Sequence, residues 1–322
     1  MNILVTGGAG YIGSMLVPLL LSEGHRLRVL DSLLHGGEPL LGVWCHPGFE
    51  FIHGDICDPG KLKSSVAGMD AVVHLAAIVG DPACARQPDL SRAVNLESSL
   101  ALIEESRRAG VSRFVFASTC SNYGKMKDPN ACVNEESELR PVSLYAETKV
   151  AVEKTLLQGG GDSSWCATPL RFATIFGVSP RMRFDLTVNE FTMELLTKKH
   201  LKVFGEQFWR PYIHVSDAAR GINTVLNAPR EKVAGRVFNV GSTSQNFQKR
   251  QLVDMIQPYQ PDAKIEFVHK SEDPRDYRVS FSRISEELGF QITRTVAQGI
   301  EEVAHLVRSK AITNFGEARF RN

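Results

Sequence analysis

The chain has 322 residues, enough for a large core and about two domains, or for one extended α/β domain with insertions. Its hydrophobic fraction of 43% and charged fraction of 23% are those of a globular protein. Lys+Arg 37 against Asp+Glu 36 leaves a formal charge of +1, which excludes a broad nucleic-acid or anionic-membrane surface while allowing local basic sites.

In chain order, "MNILVTGGAGYIG" has no basic segment ahead of its apolar run, so neither a signal peptide nor a membrane span is expected. "NILVTG" reads as a strand, and "YIGSMLVPLLLSEG" has apolar spacing that suits a helix ended by Gly24. "LRVLD", "FEFIHGDICD", "DAVVHLAA" and "RFVFAST" add strands, separated by helical stretches such as "DPGKLKSSVAG" and "VNLESSLALIEESRRAG". The alternation predicts an α/β fold, a doubly wound parallel sheet of Rossmann type covered by helices on both faces. Ligands collect at the carboxyl ends of such strands, which directs attention to Gly7–Gly13, Asp31, Asp55, Ala76, Ala77, Ser118 and Thr119.

Cys45, Cys57, Cys84, Cys120, Cys132 and Cys166 include no C-x-x-C pair. That argues against a zinc ribbon or a disulfide scaffold and for reduced thiols in the cytoplasm; no metal site is expected.

"TGGAGYIG" contains Gly8-x-Gly10-x-x-Gly13 and the wider Gly7-x-x-Gly10-x-x-Gly13. Between a predicted strand and a predicted helix, such glycines permit a tight turn, close pyrophosphate approach and helix–strand packing. Asp31 closes the next strand about 20 residues on, where a carboxylate accepts from the ribose hydroxyls of NAD and repels the extra phosphate of NADP. Its simpler reading is a turn-former before Ser32. Arg28 lies within the strand rather than after it.

"PVSLYAETKVAVEKTL" sets Tyr145 four residues before Lys149 on a predicted helix. The spacing puts both on one face and by itself decides nothing, because such pairs are common.

With "TGGAGYIG", "HLAA", "STCSNYG" and "YAETK" in this order, the chain resembles the extended short-chain dehydrogenase/reductases that act on nucleotide sugars. The similarity covers essentially the whole chain, since "LRFATIFG", "RPYIHVSDAARG" and "FNVGS" resemble the substrate half of that family. It implies NAD as cofactor, with Tyr145 as catalytic acid/base, Lys149 as its partner and Thr119 as the hydroxyl of the triad. A phenol has an unperturbed pKa near 10, so it needs a nearby cation to work as a base. The resemblance further implies cofactor contacts from Gly7, Gly10, Tyr11, Ile12, Gly13, Asp31, Asp55, Ile56, Ala76, Ala77 and Asn95, and from Tyr145 and Lys149 themselves. Thr119, Thr174, Asn189, Arg210 and Arg275 are expected on the substrate side, with Arg210 and Arg275 as diphosphate clamps.

Two departures from the family pattern narrow the activity. The family's 4,6-dehydratases follow the triad hydroxyl with acidic residues, whereas Cys120 and Ser121 stand here, which disfavours a dehydratase. Cys120 is read as a small buried residue rather than a reactive thiol. "FGVSPRMRFDLTVNEFT" replaces the usual asparagine-bearing substrate loop with Arg181 and Arg183, read either as ligand-holding arginines or as a solvated loop or salt bridge. The stretch from Val178 through "FWRPYIHV" resembles a branch associated with 4-oxidation of GDP-heptoses and with epimerases. His74 and His214 are expected to be structural.

Residues 1–167 are expected to form mainly the NAD-binding domain and 168–322 a smaller, interleaved substrate-binding part, with 212–240 returning to the first. The expected function is NAD-dependent oxidation of a nucleotide-sugar hydroxyl, at C4, by an epimerase or 4-dehydrogenase. The competing reading is a non-catalytic NAD-binding sensor or scaffold. The helices "LESSLALIEESRRA" and "YAETKVAVEKTLLQ" are expected to pair across a dyad in a homodimer.

Overall fold

A computed structural model describes residues 1–126, 131–158, 164–271 and 275–322. The strands among them are β1 (Asn2–Thr6), β2 (Arg26–Asp31), β3 (Phe49–His53), β4 (Ala71–His74), β5 (Arg113–Thr119), β6 (Cys166–Phe172), β7 (Thr174–Phe176), β8 (His200–Phe204), β9 (Trp209–His214), β10 (Phe238–Val240), β11 (Asn246–Gln248) and β12 (Lys264–Val268). Seven of them form one sheet in the order β10-β6-β5-β4-β1-β2-β3, with every pairing parallel. The sheet is doubly wound, as the alternation predicts, with its switch point beside β1.

Strand periodicity divides the core between two helical layers. Ile3 and Val5 point to one face of the sheet and Leu4 to the other. The first face packs against α1 (Gly13–Ser22) through Leu16, Val17 and Leu20; α2 (Pro59–Val66) covers the second with Leu62 and Val66. Two short helices, α3 (Asp81–Arg86) and α4 (Pro88–Arg92), lead into α5 (Ser98–Arg108). That helix and α6 (Leu144–Gln158) complete the second layer with Leu102, Ile103, Val152 and Leu156.

After β6 the chain leaves the sheet to build a smaller lobe. This holds α7 (Thr187–Lys198), the strand pair β12-β8 and the three-stranded sheet β11-β9-β7 around Val188, Leu195, Leu201 and Tyr212. It is interrupted by α8 (Val215–Asn227), whose Ile222 and Val225 join the core of the first layer beside α1, and by β10 at the edge of the large sheet.

The smaller lobe is thus built from segments on either side of a return to the large sheet. Residue 167 falls inside β6, because Cys166–Phe172 pairs along its whole length with β5 and stays in the large sheet. The return begins at Val215, since Tyr212–His214 pairs with β7 in the small sheet. No helix among the described residues is long and apolar enough to cross a membrane.

Candidate active site

One cleft of about 760 Å³ runs along the carboxyl ends of the central strands, between the two parts of the molecule. Gly7, Gly10, Tyr11, Ile12, Gly13, Asp31, Asp55, Ile56, Ala76 and Ala77 line one end. Thr119, Tyr145, Lys149, Thr174, Arg181, Arg183, Arg210 and Arg275 also line it, Arg181 close enough to Asp31 and Tyr11 for their charges to interact. Segments far apart in sequence converge here because the parallel strands all end on the same side.

The glycine turn has the geometry its spacing predicts. Gly7 adopts φ +74°, and a Cβ there would stand 2.7 Å from Ala76 N, so the turn passes directly against the end of β4. A Cβ on Gly13 would meet Gly7 O at 2.4 Å, which is why the helix can start so close to the strand. A helix amino terminus at the cleft offers N–H groups to phosphate. Asp31 Oδ2 accepts from Ala9 N at 2.9 Å and Oδ1 from Leu33 N at 2.8 Å, fixing the carboxylate at the end of β2. Burial raises the pKa of its carboxyl, with the two backbone N–H groups opposing. Each oxygen retains capacity for a ribose hydroxyl. Arg28 faces away, pairing with Glu50 and donating to the carbonyls of Ser65 and Ala67.

Tyr11 has a second task. Its hydroxyl donates to Gly177 O at 2.6 Å and receives Asn189 Nδ2 at 3.2 Å, while Ser179 Oγ donates to Tyr11 O at 2.9 Å. This seam fastens the glycine turn to the smaller lobe.

The catalytic candidates come together. Thr119 ends β5 and its Oγ1 accepts from Ser121 N at 3.1 Å, leaving the hydroxyl proton to donate into the cleft. Tyr145 lies in the first turn of α6, and burial, the largest influence, holds its phenol pKa above the usual tyrosine range. The Lys149 ammonium sits 4.7 Å from the Phe116 ring centroid and 5.8 Å from that of Tyr145. Burial lowers its pKa to about 8, against the fields of Cys84 and Glu153. Ser118 and Asn122 on one side and Arg171 on the other converge on Glu153, four residues after Lys149. The i, i+4, i+8 spacing of Tyr145, Lys149 and Glu153 makes this carboxylate legible in sequence as a third residue on the same helix face.

Several expected contacts take other positions. Asn95 does not line the cleft: it is buried, and its amide holds Ile78 N and Ile78 O at 2.8 and 2.9 Å, supporting the wall from behind. Asn189 is likewise buried and engaged with Gly177, Tyr11 and Arg183 O. Both amides are buried and engaged with partners inside the protein, Asn189 with the Tyr11 hydroxyl as well as with backbone.

Arg183 forks onto Asp185, and Arg181 Nη2 donates to Arg321 O and Asn322 Oδ1. Arg181 Nε is buried without a hydrogen-bond partner. His35 shares this electropositive end: burial, then Arg181 and Arg183, lower its pKa to about 4. Arg210 Nη1 donates to Trp209 O, and its guanidinium lies 5.3 Å from the Tyr277 ring centroid. Arg275 is paired with Asp81 at 2.8 Å.

Cys120 points away from the cleft toward Arg171 O, and burial holds its thiol pKa well above the usual range. His74 bridges Thr6 and Ser99, and His214 bridges Ser216 and Glu302, both buried in structural networks.

Residues 3–241 match the model of the NAD dependent epimerase/dehydratase family. The chain belongs to that family. It is 31% identical over 310 residues to a dTDP-glucose 4,6-dehydratase of Streptomyces griseus, covering 93% of this chain and 92% of that one. It is 30% identical to a UDP-glucose 4-epimerase of Mycolicibacterium smegmatis, over 97% and 100% of the two chains. Among solved structures, the dTDP-glucose 4,6-dehydratase DesIV of Streptomyces venezuelae, with NAD bound, superposes with a TM-score of 0.85 at 27% identity, covering 96% and 98% of the chains. NAD is the cofactor, and the fixed Asp31 and the glycine turn fit it.

Proposed function

We propose that the protein oxidises a hydroxyl of a nucleotide sugar, at C4, as an epimerase or a 4-dehydrogenase. The observation that carries this reading is the convergence of Thr119, Tyr145 and Lys149 on one cleft with the glycine turn and Asp31. Bound NAD supplies the hydride acceptor and a positive charge beside the phenol. Thr119 holds the reacting sugar oxygen by donating a hydrogen bond. Tyr145 removes its proton, and the ammonium of Lys149 stabilises the phenolate that forms.

Burial holds the phenol protonated beside Lys149, so proton removal waits on the positive charge that bound NAD adds. A sensor or scaffold needs none of these three side chains for binding, which speaks for the enzymatic reading. Arg210 and Arg275 supply the charge for a substrate diphosphate, and Arg181 and Arg183 make the cleft wall electropositive.

Elimination across C5 and C6 calls for an acid close to the triad hydroxyl. The two positions after Thr119 offer Cys120, turned away from the cleft, and Ser121, which lines it. This supports epimerase or dehydrogenase over dehydratase. Incubation with UDP-, GDP- and dTDP-sugars, followed by sugar stereochemistry and NADH absorbance, tests it. Inverted C4 with catalytic NAD marks an epimerase and stoichiometric NADH a dehydrogenase. A 4-keto-6-deoxy product, or no turnover of any sugar, contradicts the proposal.

A further inference from the structure

Asp81 divides one carboxylate between two tasks. As the first residue of α3 it lines the cleft. Its Oδ1 accepts from Ser143 Oγ at 2.7 Å, and its Oδ2 accepts from Arg275 Nη1 at 2.8 Å. Ser143 Oγ in turn accepts from Ala146 N at 3.3 Å, and Ser143 O accepts from Glu147 N at 2.9 Å. Ser143 therefore caps the helix that carries Tyr145 and Lys149. A single hydroxyl satisfies both bonds, donating to Asp81 and accepting from the helix.

We propose that Asp81 is a positioning residue that couples Arg275, reaching in from the substrate lobe, to the capped end of the catalytic helix. The inference rests on the reading of Arg275 as a diphosphate contact in the function proposed above. An arginine on a long flexible stem reads a phosphate well only when it is held in place beforehand, and a carboxylate partner holds it. The Arg275 side chain remains 40% exposed in the pair, so it stays accessible from the cleft. The other oxygen orients Ser143, two residues before Tyr145. Substrate recognition and the start of the catalytic helix thus share one carboxylate.

The two tasks separate by substitution. Asp81→Asn keeps a carbonyl oxygen for Ser143 but loses the charge that holds Arg275, whereas Asp81→Ala loses both. In the NAD-loaded, full-length protein, Asp81→Asn is expected to weaken UDP, GDP or dTDP binding by about fivefold to tenfold in calorimetry. Its kcat on the sugar the wild type converts should stay within about twofold. Asp81→Ala should show the same binding loss with kcat lowered about tenfold or more, the cost of a disturbed helix cap. NAD affinity should be unchanged in both.

If the wild type converts a nucleotide sugar but the two variants behave alike, or both bind nucleoside diphosphate as the wild type does, the inference is overturned and the functional reading stands. Wild type that binds no nucleoside diphosphate and no nucleotide sugar overturns both.

Discussion

Arg171 and Glu153 form an ion pair at 2.7 Å, their side chains 4% and 1% exposed, directly behind the catalytic helix. Glu153 also receives Ser118 Oγ and Asn122 Nδ2, while Arg171 Nη1 donates to Tyr123 Oη at 3.0 Å. The pair joins β6, the end of β5 and α6, the elements that present Thr119, Tyr145 and Lys149. Breaking a buried pair leaves an uncompensated charge, which costs about 3–5 kcal/mol. Glu153→Leu is expected to lose that much in urea unfolding, and Arg171→Met with Glu153→Leu to regain a substantial part. Loss under about 1 kcal/mol in the single variant would contradict a structural role for the pair.

Lys149 illustrates a conflict between stability and activity. Its folded-state pKa of about 8 lies below the ordinary 10.5, so the folded protein holds the ammonium at a penalty. The penalty is complete below pH 8 and disappears as pH rises past 10.5, because between those values the unfolded chain binds the additional proton. At about 1.4 kcal/mol per pKa unit it amounts to about 3 kcal/mol. Lys149→Met should therefore be more stable than wild type at pH 7, by about 1–3 kcal/mol, with the difference shrinking above pH 8. Activity should fall by about two orders of magnitude or more. A variant less stable at pH 7 would show that the ammonium is held by favourable contacts.

Much of this architecture is legible in the sequence, and the reasons differ by residue. The "TGGAGYIG" turn can be read because Gly7 and Gly13 meet steric demands that no other side chain satisfies. Asp31 can be read because it ends a strand, and strand ends define the cleft. Asn95 and Asn189 cannot be placed this way, since a polar residue near a cleft serves equally well to bind a ligand or to hold the wall. Asp81 carries no sequence signal at all: its partners Ser143 and Arg275 lie 62 and 194 residues away and meet it only through the fold.

We propose that Asp31 sets cofactor choice: its carboxylate, tied to Ala9 N and Leu33 N at the end of β2, is placed to accept from the ribose hydroxyls of NAD and to repel an NADP phosphate. Asp31→Ala should narrow the NAD-to-NADP affinity ratio by about tenfold or more, measured by fluorescence titration. Equal affinity of the wild type for both cofactors would contradict this assignment.

We propose that the protein assembles through α5 and α6. Leu100, Ala101, Leu144, Ala151 and Leu157 on these helices are only half-buried in the single chain. Pairing the two helices across a dyad would cover them and brace the segment bearing Tyr145. Sedimentation at micromolar concentration is expected to show a dimer. A fully active monomer would contradict the pairing.

The most direct test of the account is a single turnover of NAD-loaded protein with the nucleotide sugar the wild type accepts, comparing wild type with Tyr145→Phe by the rise of NADH absorbance. Phenylalanine keeps the ring and removes only the proton-accepting oxygen. The account predicts hydride transfer slower by about two orders of magnitude or more in the variant, with nucleotide-sugar affinity within about twofold of wild type. Equal rates in the two proteins would contradict the assignment of Tyr145 as the catalytic base.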